Sequence, residues 1–249
     1  MPHMFINRPR LYQLTGNRKD LQKRFRWETI NAFLYKLGGI VFIVGSVFFF
    51  PKLEAYKNLG CWTFFAGSLL YLVVTLHDLA EVRVHWKKTT EHDRRATLEY
   101  IAACSYVLGT ILFTVGSIFF LSQVGWFTLG AWSFVIGSLL FVLGACINVL
   151  QIIHSRNLLT LQLMNLTAVT FVVGSVLFTV ASVPYLWHFQ SKLDARIIDA
   201  YLAWQYVVGS LLFFLGGVFN YWRAYVLIRQ ETGDQKGLLF KSRMYADLS

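Results

Sequence analysis

Charge, proline and cysteine are all scarce in this sequence, and each shortage removes a class of protein. Charged residues make up 14% of the 249 positions, against roughly a quarter in a soluble globular domain, so the chain carries more apolar surface than one water-soluble core can hide. The four prolines are Pro2, Pro9, Pro51 and Pro184, and none interrupts an apolar tract. That argues against the broken helices of a coupled transporter. The three cysteines, Cys61, Cys104 and Cys146, fall in or beside different tracts, which excludes a disulfide framework and leaves packed thiols. Strict apolar and polar alternation is missing too, so a membrane barrel is disfavoured. No cleavable leader is visible, because the first apolar tract follows about thirty mostly polar and basic residues and is too long for a leader core.

What is present is apolar and aromatic: 56% of the chain is hydrophobic and 17% of it is Phe, Trp or Tyr. Six tracts stand out at about Asn31–Phe50, Leu59–His77, Tyr100–Leu121, Trp126–Asn148, Leu161–Val183 and Ala200–Trp222. Each approaches the twenty or so residues that cross a hydrocarbon layer as a helix. The net charge of +10 is gathered into the flanks, which suits a membrane protein and not a nucleic-acid surface. Lys and Arg concentrate before the first tract, between the second and third, and after the sixth. The other side has only Lys52, Lys57, Lys192 and Arg196. Both termini are therefore expected in the cytoplasm or an equivalent inner compartment.

The tracts repeat internally. One helix of each pair reads Phe42-Ile-Val-Gly45-Ser46, Phe113-Thr-Val-Gly116-Ser117 and Phe171-Val-Val-Gly174-Ser175. The other carries Trp62 with Gly67-Ser68, Trp132 with Gly137-Ser138, and Trp204 with Gly209-Ser210. Asp78, Asn148 and Asn220 follow these last glycines at one fixed interval, and Arg24 with Glu28 recurs as Arg95 with Glu99. An all-α integral membrane fold is expected, with six transmembrane helices as three tandem hairpins in pseudo-threefold arrangement. The divisions are a basic, amphipathic segment over 1–27, hairpins over 28–82, 98–154 and 155–228, a cytoplasmic loop over 83–97 and a tail over 229–249.

The run Trp27-Glu28-Thr29-Ile30-Asn31, then Leu37-Gly38-Gly39, Gly45-Ser46, Trp62 and Gly67-Ser68 resembles the small bacterial YrhK-like family, whose unit looks like one two-helix membrane hairpin. The second hairpin matches nearly as well. The third departs, with Thr167 where the others have Gly38 and Gly109, and with no acidic counterpart of Glu28. The resemblance implies an architecture and a bacterial inner membrane, an organellar inner membrane remaining open, but no activity, substrate or cofactor.

Gly38 and Gly45, Gly60 and Gly67, Gly109 and Gly116, Gly130 and Gly137, and Gly209 and Gly216 lie seven residues apart, so both members of each pair share one helix face. In lipid, small residues promote association by letting backbones approach. Gly38, Gly45, Ser46, Gly67, Ser68, Gly109, Gly116, Ser117, Gly137, Ser138, Gly174, Ser175, Gly209 and Ser210 are the expected packing seams. Trp62, Trp132 and Trp204 are read as interface anchors. Glu28, Lys36, Asp78, Glu99, Asn148 and Asn220 form an inner-end polar set, in which Lys36 either snorkels or meets Asp78, and Glu28 and Glu99 pair with Arg24 and Arg95. His77, His85, His92 and His154 show no convergent metal or haem pattern. Neither a catalytic set nor a cofactor site is recognised. The favoured role is a structural or accessory subunit of a membrane assembly, partnered by other membrane subunits or by itself, with anionic lipid at Arg18–Trp27. The alternative is a small-solute or ion channel whose pore is lined by Ser46, Ser117 and Ser175.

Overall fold

The computed structural model describes residues 18–88, 94–150, 158–187 and 191–246, with side chains over 29–84, 86–87, 94, 96–150, 158–187, 191 and 193–226. Six α-helices dominate: α1 (Arg18–Val47), α2 (Lys57–Lys88), α3 (Arg94–Phe119), α4 (Phe127–Leu150), α5 (Leu158–Ser182) and α6 (Lys192–Ala246). Two short 3-10 turns, Pro51–Tyr56 and Val183–Leu186, start at or next to a proline. Proline suits that position because its missing N–H would have no partner there. Among the described residues, all six helices contain a stretch long and apolar enough to cross a membrane, from Thr29–Val47 to Leu193–Val226. This is a membrane protein. α6 is one uninterrupted helix of 55 residues, about 80 Å at 1.5 Å per residue, so its backbone runs on well past any membrane thickness.

Each helix packs on its chain neighbours, and α1 also packs on α6, so the six form a closed ring. The outward surface is apolar on every helix, with Ile40, Val73, Leu108, Leu139, Val169 and Leu211 all exposed. Helices that are hydrophobic all round belong in lipid. The inside differs from the outside in holding small and polar side chains, among them Ser46, Ser117, Ser138 and Asn148, beside its aromatic rings. At the end opposite the termini, Asn58 at the start of α2 donates from Nδ2 to Ser122 Oγ at 2.6 Å and accepts from the Ser122 N–H at 3.0 Å. That tie holds the α3–α4 turn, in which Gly125 adopts φ +68°, against the first helix pair.

Candidate functional site

The ring encloses a column of aromatic side chains spaced by heptads. α1 and the turn after it contribute Tyr35, Phe42 and Phe49; α3 and the turn after it contribute Tyr106, Phe113 and Phe120; α5 and its 3-10 turn contribute Phe171, Phe178 and Tyr185. The intervening helices insert Phe64 and Tyr71, Phe134 and Phe141, and Tyr206 and Phe213. At mid-height Phe42, Phe113 and Phe178 meet across the axis, their ring centroids 6.5, 6.2 and 5.7 Å apart. Above them Phe64 lies 6.1 Å from Phe134 and 5.9 Å from Tyr206. Below, Phe42, Phe113 and Phe178 each rest on the next ring at 5.2, 5.3 and 5.3 Å, on Tyr71, Phe141 and Phe213 respectively. Edge-to-face and offset pairs at such distances contribute about 0.5–1.5 kcal/mol each.

Glycine makes this packing geometrically possible. Phe42 on α1 lies over Gly67 on α2, and Phe64 on α2 lies over Gly45 on α1; a Cβ at either glycine would meet the ring at 3.2 or 2.7 Å. The same exchange links Phe113 with Gly137 and Phe134 with Gly116, both at 2.8 Å. In the last pair Phe178 covers Gly209 at 2.8 Å, whereas Ala181 stands where Gly45 and Gly116 do, and Ser182 there contacts the Tyr206 hydroxyl at 2.9 Å. Two turns lower, Gly38, Gly109 and Gly174 face Tyr71, Phe141 and Phe213 at 3.2, 3.1 and 3.2 Å.

These contacts correct the register expected for α5. Gly174 and Ser175 do not correspond to Gly45-Ser46 and Gly116-Ser117; they sit one heptad nearer the termini, and Gly174, not Thr167, is the counterpart of Gly38 and Gly109. The hydroxyls agree, since Ser46, Ser117 and Ser182 each donate to the carbonyl of Phe42, Phe113 and Phe178, all at 2.7 Å. The Ser175 hydroxyl is buried with no hydrogen-bond partner among the described residues, while its carbonyl accepts from Thr179 at 3.0 Å. Nor do Ser46, Ser117 and Ser175 line a common lumen, because aromatic rings occupy the axis between their helices. Ser46 instead approaches Ser210 on α6 at 3.3 Å.

Toward the terminus-bearing end the core becomes polar. Asn148 donates to the Tyr106 hydroxyl at 2.9 Å, which satisfies two groups that apolar surroundings would otherwise penalise. Asp78 and Glu99 are buried. Asn31 and His77 approach at 3.0 Å, and His77 lies 3.9 Å from Glu81. Asn220 accepts from Arg223 at 3.1 Å. Arg223, assigned from sequence to a basic flank, is 1% exposed; its place three residues beyond Asn220 was the available signal. Beside this region, Tyr35, Ser68, Tyr71, Thr75 and Thr110 border a void with room for about one water.

Lys36 does not meet Asp78. Its ammonium lies 4.4 Å from the centre of the Tyr221 ring on α6. Trp62, Trp132 and Trp204 project outward, roughly half-exposed, and Trp204 packs on Phe50 at 5.3 Å. The side chains of Arg24, Glu28, Arg95, His85, Glu91, His92, Asp93 and His154 lie outside the described residues, as do residues 1–17 and the side chains of 18–28 and of the 229–249 segment.

The family model of YrhK-like proteins matches the chain twice, over residues 25–82 and 96–153. These two segments belong to the YrhK-like family and stand in tandem, while α5 and α6 lie beyond both matches. No curated protein and no solved structure matches the chain.

Proposed function

We propose that this chain is a structural or accessory subunit of a membrane assembly, built as three tandem helical hairpins around a pseudo-threefold axis. The observation that carries this reading is the filled centre: rings from all three hairpins meet on the axis, and the void beside them has room for about one water. A body of that kind offers its outer faces for work, not its interior. Those faces are apolar on every helix, suited to lipid, to other membrane subunits or to a second copy of the chain. The matching Phe and Gly contacts in α1–α2, α3–α4 and α5–α6 support the hairpin repeat, including the last pair, which departs most in sequence. No enzymatic role is proposed.

The Lys and Arg excess on the terminus-bearing side supports cytoplasmic termini, and the family points to a bacterial inner membrane. The basic Arg18–Trp27 segment is proposed to contact anionic lipid. The channel alternative needs an opening through the aromatic layers, and no feature of the core favours one. Purification in mild detergent, with quantification of everything retained, tests the assignment. Partners recovered in fixed stoichiometry support it; ion or solute flux by the pure protein in liposomes defeats it.

A further inference from the structure

At Lys36 the repeat places a charge where the other two hairpins hold apolar residues. The corresponding sites on α3 and α5, each one residue after the lowest aromatic layer, hold Val107 and Val172. Packing therefore does not call for a lysine. Its stem lies along α6, since a Cβ at Gly217 would stand 3.5 Å from Lys36 Cγ, while the preceding Tyr35 ring closes on the same glycine at 2.6 Å. From there the ammonium reaches toward the terminus-bearing end and rests over Tyr221. Among the described residues no carboxylate lies within ion-pair distance of it. A cation facing lipid gains little from one aromatic face and retains a demand for an anion.

Depth identifies the kind of anion. The apolar span of α1 begins at Thr29, which puts the Lys36 backbone about 10 Å inside that boundary at 1.5 Å per residue. Snorkelling by a long side chain brings its ammonium back toward the headgroup level. We propose that the α1–α6 seam binds an anionic phospholipid, with Lys36 holding its phosphate and Tyr221 flanking it. This site is separate from the basic N-terminal segment and does not depend on the scaffold role.

The test uses the full chain in detergent, with retained lipid read by native mass spectrometry after addition of phosphatidylglycerol or phosphatidylcholine. Phosphatidylglycerol is expected to survive activation that strips phosphatidylcholine. Lys36→Gln should lower its retention several-fold, Lys36→Arg should preserve it, and the Lys36→Gln loss should be as large in a background carrying Arg18→Gln, Lys19→Gln and Lys23→Gln, which removes the separate lipid contacts of the N-terminal segment. Equal retention by Lys36→Gln and wild type overturns the site. So does displacement of the lipid by inorganic phosphate, which would make free phosphate the ligand, or loss of the preference only in the triple variant. If Lys36→Gln does not fold, the wild-type protein decides: no preference between the two lipids refutes the proposal, and a preference that survives in the triple variant sustains it.

Discussion

Alanine at Gly38, Gly109 and Gly174 probes three equivalent positions with one methyl group, and the surroundings differ in a way that ranks the outcomes. At Gly109 the methyl would lie 2.9 Å from the carbonyl oxygen of Gly137, and at Gly174 it would lie 3.2 Å from that of Gly209. At Gly38 the three nearest atoms would all belong to the Tyr71 ring, at 3.2 to 3.4 Å. A carbonyl locked in its own helix cannot rotate away, so α3 and α4 must separate by a few tenths of an ångström, whereas Tyr71 can tilt. Overpacking costs about 1–3 kcal/mol, and Gly→Ala recovers at most about 1 kcal/mol of helix propensity. The expected net destabilisation is about 2 kcal/mol for Gly109→Ala, about 1 for Gly174→Ala and under about 1 for Gly38→Ala. Reversible unfolding by sodium dodecyl sulfate in mixed micelles, followed by tryptophan fluorescence and helicity, supplies the three values. A flat series, or one in which Gly38→Ala is worst, would refute the claim that backbone proximity at the glycine seams sets their sensitivity.

Phe178→Ala removes one ring from the central triad and should cost about 3–5 kcal/mol by the same unfolding measurement; Phe171→Ala, at the position first matched to Phe42 by sequence, tests the register, and the reading fails if a double-mutant cycle with Phe113 couples Phe171 more strongly than Phe178. Tyr106→Phe and Asn148→Leu should each destabilise by about 1–2 kcal/mol, with a coupling near 1 kcal/mol in their cycle; additive losses would mean the 2.9 Å bond is not formed in the membrane. Gln123→Cys should react with an impermeant maleimide from outside intact cells and Lys87→Cys should not; the reverse pattern would invert the orientation.

The six spans were legible because length and apolarity decide membrane crossing: each expected tract falls on its own helix, although the tracts ending at Phe50, Leu121 and Val183 overrun their helices by one to three residues. The seam glycines were legible because small residues at heptad spacing stand out in such a sequence. The aromatic column was not recognised, although its rings precede most of those glycines by three residues, as in Phe42 with Gly45 and Phe64 with Gly67. In a soluble helix apolarity itself marks the buried face; here both faces are apolar, so a phenylalanine on the axis looks like one facing lipid. The register of α5 misled for a related reason. That helix carries the Phe-x-Val-small-Ser pattern twice in succession, and the copy that kept glycine, at Gly174, is not the one aligned with Gly45. Lys36 and Arg223 were assigned by proximity in sequence, which cannot reveal that α1 and α6 are neighbours.

That adjacency orders the assembly of the molecule in time. α1 is made before α6, and until α6 arrives the α1 flank carrying Tyr35 and Gly39 lacks the Phe214 and Gly217 that cover it. The nascent chain therefore presents that flank to the bilayer while α2 to α5 are made. Termination before Phe214 leaves Tyr35 and Gly39 without the α6 residues that close the ring over them.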